Sequence, residues 1–111
     1  DKRKFMTSIK NLKYSNSVVN FYVNKNLSEN SFFSKKQNKI LLNDNFFHQP
    51  QEVIFRSFSD SVNLIGKRYY SVRGKKINYI INKVKNNTSF KVTLGGCIIE
   101  KINQTVIITK E

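Results

Sequence analysis

The chain has 111 residues, 20 Lys and Arg against 7 Asp and Glu, and a formal net charge of +13. That length suits one ordinary domain or two small lobes, and a hydrophobic fraction of 39% is enough for a core, so disorder is not forced. The charge balance argues against sites built on clustered acids. The lack of an apolar run of about 18 residues, and of a leader with a small-residue cleavage site, argues against membrane insertion and secretion; a cytoplasmic chain is expected.

Cys97 is the only cysteine, so neither an intramolecular disulfide nor a cysteine-pair metal site can form. The basic residues are mostly Lys, Asn is abundant and Ala is absent, a bias that an AT-rich genome produces without selection for binding. The remaining charge still attracts polyanions over roughly a Debye length, ~8 Å in physiological salt, and points to nucleic acid as partner. The start at Asp1 rather than Met leads us to expect a piece of a longer protein.

In chain order, Phe5, Ile9 and Leu12 have the spacing of an amphipathic helix over Asp1 to Tyr14, and Ser15-Asn16-Ser17 interrupts it. Val18, Val19, Tyr22 and Val23 again have helical spacing, although their β-branched content would suit a strand. Between Ser28 and Asn45, Phe32-Phe33 and Ile40-Leu41-Leu42 flank a polar stretch that reads as a short hairpin or an ordered loop. Pro50 and Glu52 open a helix whose stripe is Ile54, Phe55, Phe58, Val62 and Ile65, with Gly66 expected as its C-terminal cap. A second helix is predicted from a Ser71 cap through Ile77, Ile80, Ile81 and Val84 to Asn86-Asn87. Phe90, Val92 and Leu94 then alternate with Lys91 and Thr93. Breaks at Gly95-Gly96 and Asn103-Gln104 separate three strands.

The expected class is therefore α+β: N-terminal helices, a helical pair at about 50–65 and 71–86, and a small C-terminal three-stranded antiparallel meander. Residues 1–45 read as a helical linker or accessory segment with a short hairpin in it, and 46–111 as a C-terminal substrate-binding domain.

Several chemical motifs fail on inspection. Ser57-Phe58-Ser59-Asp60-Ser61 superficially resembles an SGGxDS pyrophosphate loop, but it lacks the glycines that let backbone N–H groups close on phosphate, and Phe58 falls on a helix stripe. Gly66-Lys67 lacks the spacing of a phosphate-binding loop, and Gly95-Gly96 has no helix start behind it. His48 and Cys97 stand in contexts that do not support a nucleophile and base. Glu52 and Asp60 lie four residues either side of Arg56, so local ion pairing accounts for all three. The sequons at Asn87 and Asn103 match by chance in an Asn-rich chain. No catalytic, cofactor-binding or metal-binding residue is assigned.

The informative stretch runs from Lys67 to Lys85, and no acid occurs between Asp60 and Glu100. At about 100° per residue, Lys75, Tyr79 and Lys83 lie opposite the apolar side of the second helix, with Lys76 at the margin. Lysines neutralise phosphates, and an exposed tyrosine stacks on a base for roughly 1–3 kcal/mol. Lys67, Arg68, Tyr69 and Tyr70 extend this surface in the preceding turn. Arg73 points along the apolar side, where it would anchor packing between the helices. The competing account is a solvated lysine face.

Four runs carry a resemblance: Pro50-Gln51-Glu52-Val53-Ile54-Phe55-Arg56, Tyr70-Ser71-Val72-Arg73-Gly74-Lys75-Lys76, Thr93-Leu94-Gly95-Gly96-Cys97, and the closing Val106-Ile107-Ile108-Thr109-Lys110-Glu111. In this order they resemble the C-terminal part of tRNA(Ile)-lysidine synthase, particularly its shorter bacterial forms, from about Phe46 to Glu111; the first 45 residues correspond only by position. The resemblance implies a ligase of tRNA modification that uses ATP to attach lysine to the wobble cytidine of an isoleucine tRNA anticodon. That changes codon reading from AUG to AUA and charging from methionine to isoleucine. It places ATP and magnesium in an N-terminal catalytic domain, carrying SGGxDS, outside these 111 residues, so this stretch is expected to be silent alone and to hold tRNA. Arg56, Arg73, Gly95 and Gly96 are the firmest matching positions. The RNA-binding candidates are Lys67, Arg68, Arg73, Lys75, Lys76, Tyr79 and Lys83. The expected partners are tRNA and the catalytic domain, with a homodimer left open. Two other readings compete. One is a winged-helix DNA-binding module with Gly95-Gly96 in its wing and Asn78 and Asn82 near base edges. The other is a packing lobe whose apolar patch comprises Phe32, Phe33, Phe46 and Phe47.

Overall fold

The structure, a computed structural model, describes residues 17–66, 74–86 and 89–111. Residues 17–30 form the first helix, α1. It turns Val23, Asn26, Leu27 and Asn30 inward at helical spacing, and leads directly into strand β1, Ser31–Ser34. A four-residue loop with Asn38 at φ 50° returns the chain as β2, Lys39–Leu42, so 28–45 contains the hairpin. The amphipathic helix expected in 1–14 and the Ser71 cap lie outside the described residues.

A 3-10 helix follows, Asp44–His48, capped by Asn43, whose side chain accepts from the Phe46 N–H at 3.0 Å. Helix α2 covers Gln51–Gly66, and the Pro50 carbonyl accepts its first bond from the Ile54 N–H at 3.0 Å. Helix α3 covers Gly74–Asn86. Three strands complete the chain: β3 Ser89–Leu94, β4 Cys97–Ile102 and β5 Thr105–Lys110.

The α+β class holds, with a larger sheet than the expected meander. One antiparallel five-stranded sheet has the order β1-β2-β5-β4-β3, because β2 pairs with β5 through Ile40↔Ile108 and Leu42↔Val106. That pairing also crosses the boundary drawn at residue 45. The hairpin preceding it supplies Ile40 and Leu42 to the same core as 46–111, so the sheet gives no division there.

Along β2, β4 and β5 alternate residues point to one face, where Ile40, Leu42, Cys97, Ile99, Val106 and Ile108 are buried. Against them pack Ile54, Phe58, Val62 and Ile65 of α2 and Ile77, Ile80, Ile81 and Val84 of α3. Each such side chain contributes roughly 1.5–3 kcal/mol on burial. Phe46 and Phe47 join this core, with ring centroids 5.0 Å apart, so they leave the apolar patch assigned to them; Phe32 and Phe33, on the edge strand β1, are exposed.

Two glycine roles are specific. Gly95 and Gly96 take φ 60° and 80°, the geometry of a two-residue hairpin turn between β3 and β4. Gly66 does not adopt the left-handed cap conformation expected of it: it stays in α2, and a Cβ there would stand 2.3 Å from the Gly95 carbonyl oxygen. Close approach of the helix end to the turn is what requires glycine.

A buried polar ladder ties α1 to the rest. Asn26 donates to the Phe46 carbonyl and to Ser57 Oγ, both at 3.3 Å, and accepts from Asn30 at 2.8 Å. Asn30 accepts in turn from Asn43 at 3.3 Å. Ser57 and Ser61 donate to the Val53 and Ser57 carbonyls one turn back. Every amide is used, so burying these groups carries little unmet desolvation.

Candidate nucleic-acid interface

Helix α3 holds its inner side with Ile77, Ile80, Ile81 and Val84, all at most 3% exposed. The same spacing leaves Lys75, Lys76, Asn78, Tyr79, Asn82 and Lys85 exposed and Lys83 half-buried. No acid lies on the helix to pair with these lysines at i, i+4. Lys83 and Lys85, in the last turn, suit the negative helix end. Lys75 and Lys76 stand at the positive end, where a cation costs roughly 0.3–1 kcal/mol. Helix stability does not account for these two lysines.

Tyr79 is 61% exposed. The Lys83 ammonium lies 5.7 Å from its ring centroid and 5.5 Å from that of Phe90 on β3, so one cation bridges helix and strand. At the far end of α3, Lys101 of β4 donates to the Val84 carbonyl at 2.6 Å and satisfies one of the helix's terminal acceptors.

Between α3 and β3 lies an open groove of about 870 Å³. Lys76, Tyr79 and Ile80 line it from the helix, and Lys91, Val92 and Thr93 from the strand. The Gly95-Gly96 turn and Glu111 close one end, with the Glu111 N–H bonded to the Gly96 carbonyl at 3.0 Å. Four of the candidate residues, Lys75, Lys76, Tyr79 and Lys83, thus share one helix, and two of them face the groove. Lys67, Arg68 and Arg73 lie outside the described residues. Lys91 was missed. Its alternation with Val92 placed it on the outward side of a strand, but only the sheet brings that strand beside α3.

Comparison with protein-family models, curated proteins and solved structures returns no match to this chain.

The discarded motifs have structural explanations. Ser57 to Ser61 lies inside α2, with Ser57 and Ser61 bonded to its own carbonyls, so it cannot wrap a phosphate. Arg56 donates to Glu52 at 2.8 Å and to Asn20 at 3.5 Å, which makes it a tie between α2 and α1. Asp60 has no ion pair with Arg56 in this geometry; partial burial raises its carboxyl above the ordinary value, and Arg56 pulls weakly the other way. Cys97 is fully buried and donates to the Val62 carbonyl at 3.3 Å, whereas His48 is exposed and bonded to Asp44 at 2.9 Å. A buried thiol cannot meet a substrate. Among the described residues no group of three His, Cys, Asp or Glu could hold a metal ion, and no helix is long and apolar enough to cross a membrane.

Proposed function

We propose that this chain is the tRNA-binding C-terminal part of a tRNA(Ile)-lysidine synthase, acting through the basic, aromatic face of α3. The observation that carries the reading is the pairing of Lys75 and Lys76, set against the helix dipole, with the exposed ring of Tyr79 on an acid-free helix. Phosphate-neutralising cations beside a stacking ring are what an RNA surface needs. The choice of enzyme rests on the resemblance of the four sequence runs alone.

In this reading ATP, magnesium and the ligation of lysine belong to a catalytic domain outside these residues, and the present chain orients the tRNA for it. Winged-helix DNA binding has less support. The Gly95-Gly96 turn closes against Gly66 instead of projecting as a wing, and α3 packs its inner side into the core shared with a five-stranded sheet.

The test is tRNA binding by the 111-residue chain across a salt series. Affinity should fall steeply with salt, and Lys75→Glu with Lys76→Glu should weaken it at least about tenfold while flattening the salt slope by one to two counterions, at ~0.7–0.9 per phosphate contact. Equal retention at low and high salt, or an unchanged double variant, removes the reading. Duplex DNA of similar length, bound more tightly than tRNA, would favour the DNA-binding alternative.

A further inference from the structure

We infer that the groove between α3 and β3 takes an unpaired stretch of RNA, with one base stacked on Tyr79, and not the side of a duplex. This rests on the RNA-binding reading above and narrows its ligand.

The groove is chemically two-sided. On its helix side the floor is apolar, made by Val92 and the edges of Ile80 and Leu94 beside the Tyr79 ring, with Lys76 on the helix wall; Lys91 and Ile98 line it from the other face of the sheet, around the β3 edge. An A-form duplex keeps its bases inside the stack and shows phosphates and 2′-hydroxyls, so this floor would find no partner on it. An unpaired nucleotide presents a flat apolar base and a phosphate together. It can lay the base on the floor and turn the phosphate to Lys76.

The ring is prepared for that contact. It is well exposed, and the Lys83 ammonium, 5.7 Å from its centroid and 5.5 Å from that of Phe90, places a positive charge beside it. The strand adds a second recognition element. β3 is the last in the sheet, and among the described residues no further strand pairs with its outer edge. Its outward N–H and C=O groups are open to the hydrogen-bonding edge of a splayed base. Glu111, the only acid on the lining, stands at the turn end, away from Lys76.

The experiment measures binding of the chain at low salt to a mixed-sequence RNA of about twelve nucleotides, to the same RNA annealed to its complement, and to whole tRNA. The single strand should bind at least about tenfold tighter than the duplex. Tyr79→Ala should weaken single-strand binding roughly 5- to 150-fold, the range of one lost stacking contact, with duplex binding unmoved. Tyr79→Phe should stay within about threefold of the parent, and Tyr79→Leu, which keeps the bulk without the π face, should resemble Ala. Circular dichroism and Tm confirm that each variant is folded. Equal affinity for strand and duplex, or a folded Tyr79→Ala that binds the single strand like the parent, overturns this inference while tRNA binding stands. Failure to bind tRNA as well removes both.

Discussion

Helices α2 and α3 share an apolar stripe and a common core, yet they treat their polar residues in opposite ways. In α2 the polar groups are turned back on the protein: Glu52 holds Arg56, Arg56 reaches Asn20, and Ser57 and Ser61 bond to helix carbonyls. In α3 four core residues suffice, and the rest of the surface is lysine, asparagine and one tyrosine without an acid among them. A helix whose one cation is held by an acid on the same helix is a packing element. One whose cations have no acid on their own helix leaves that charge to the surface, which is the feature the RNA-binding proposal uses.

The comparison is broken most strongly at the centre of α2. Phe58 has no exposed surface and contacts the Phe47 ring at 6.1 Å between centroids, so Phe58→Ala should cost about 3–5 kcal/mol in denaturant unfolding. A loss under 1 kcal/mol would mean that α2 is not the packing helix.

Next is the helix end. Gly66→Ala must push a methyl against the Gly95 oxygen, and an overpacked site of this kind should lose roughly 1–3 kcal/mol. Because Gly95 and Gly96 line the groove, RNA affinity should fall with it. A variant of unchanged stability would show that the turn yields freely.

The smallest effect is at Asp60. Its folded-state pKa is raised above the unfolded value, so the proton is bound more tightly in the folded chain; stability from this source is present at acid pH and lost as pH rises through the raised value. The Tm of the parent should therefore gain on that of Asp60→Asn as pH is lowered from neutrality through the carboxylate range. A gap that moves the other way would contradict the raised pKa.

The candidate surface was legible to the extent that it is local. Lys75, Tyr79 and Lys83 recur every four residues, and a 3.6-residue period puts them on one side wherever the helix sits. Phe46-Phe47 and Phe32-Phe33 look alike in the sequence, and only the capped 3-10 helix at Asn43 turns the first pair into the core while the hairpin leaves the second at an edge. Gly66 was marked as special, but for the wrong reason, since its neighbour Gly95 is far along the chain.

What the sequence by itself determined is therefore what depends on short-range periodicity: the extents of α2 and the four core residues of α3, the three closing strands with turns at Gly95-Gly96 and Asn103, and the acid-free helix face. Only the tertiary structure decided that β2 joins β5, that buried Asn26 and Asn30 form a ladder with Asn43 and Ser57, and that β3 comes beside α3 to border a groove with Lys76 and Tyr79. Pairing between distant strands leaves no periodic trace in either one. An asparagine reads as polar in the sequence, whether its amide meets water or a buried partner.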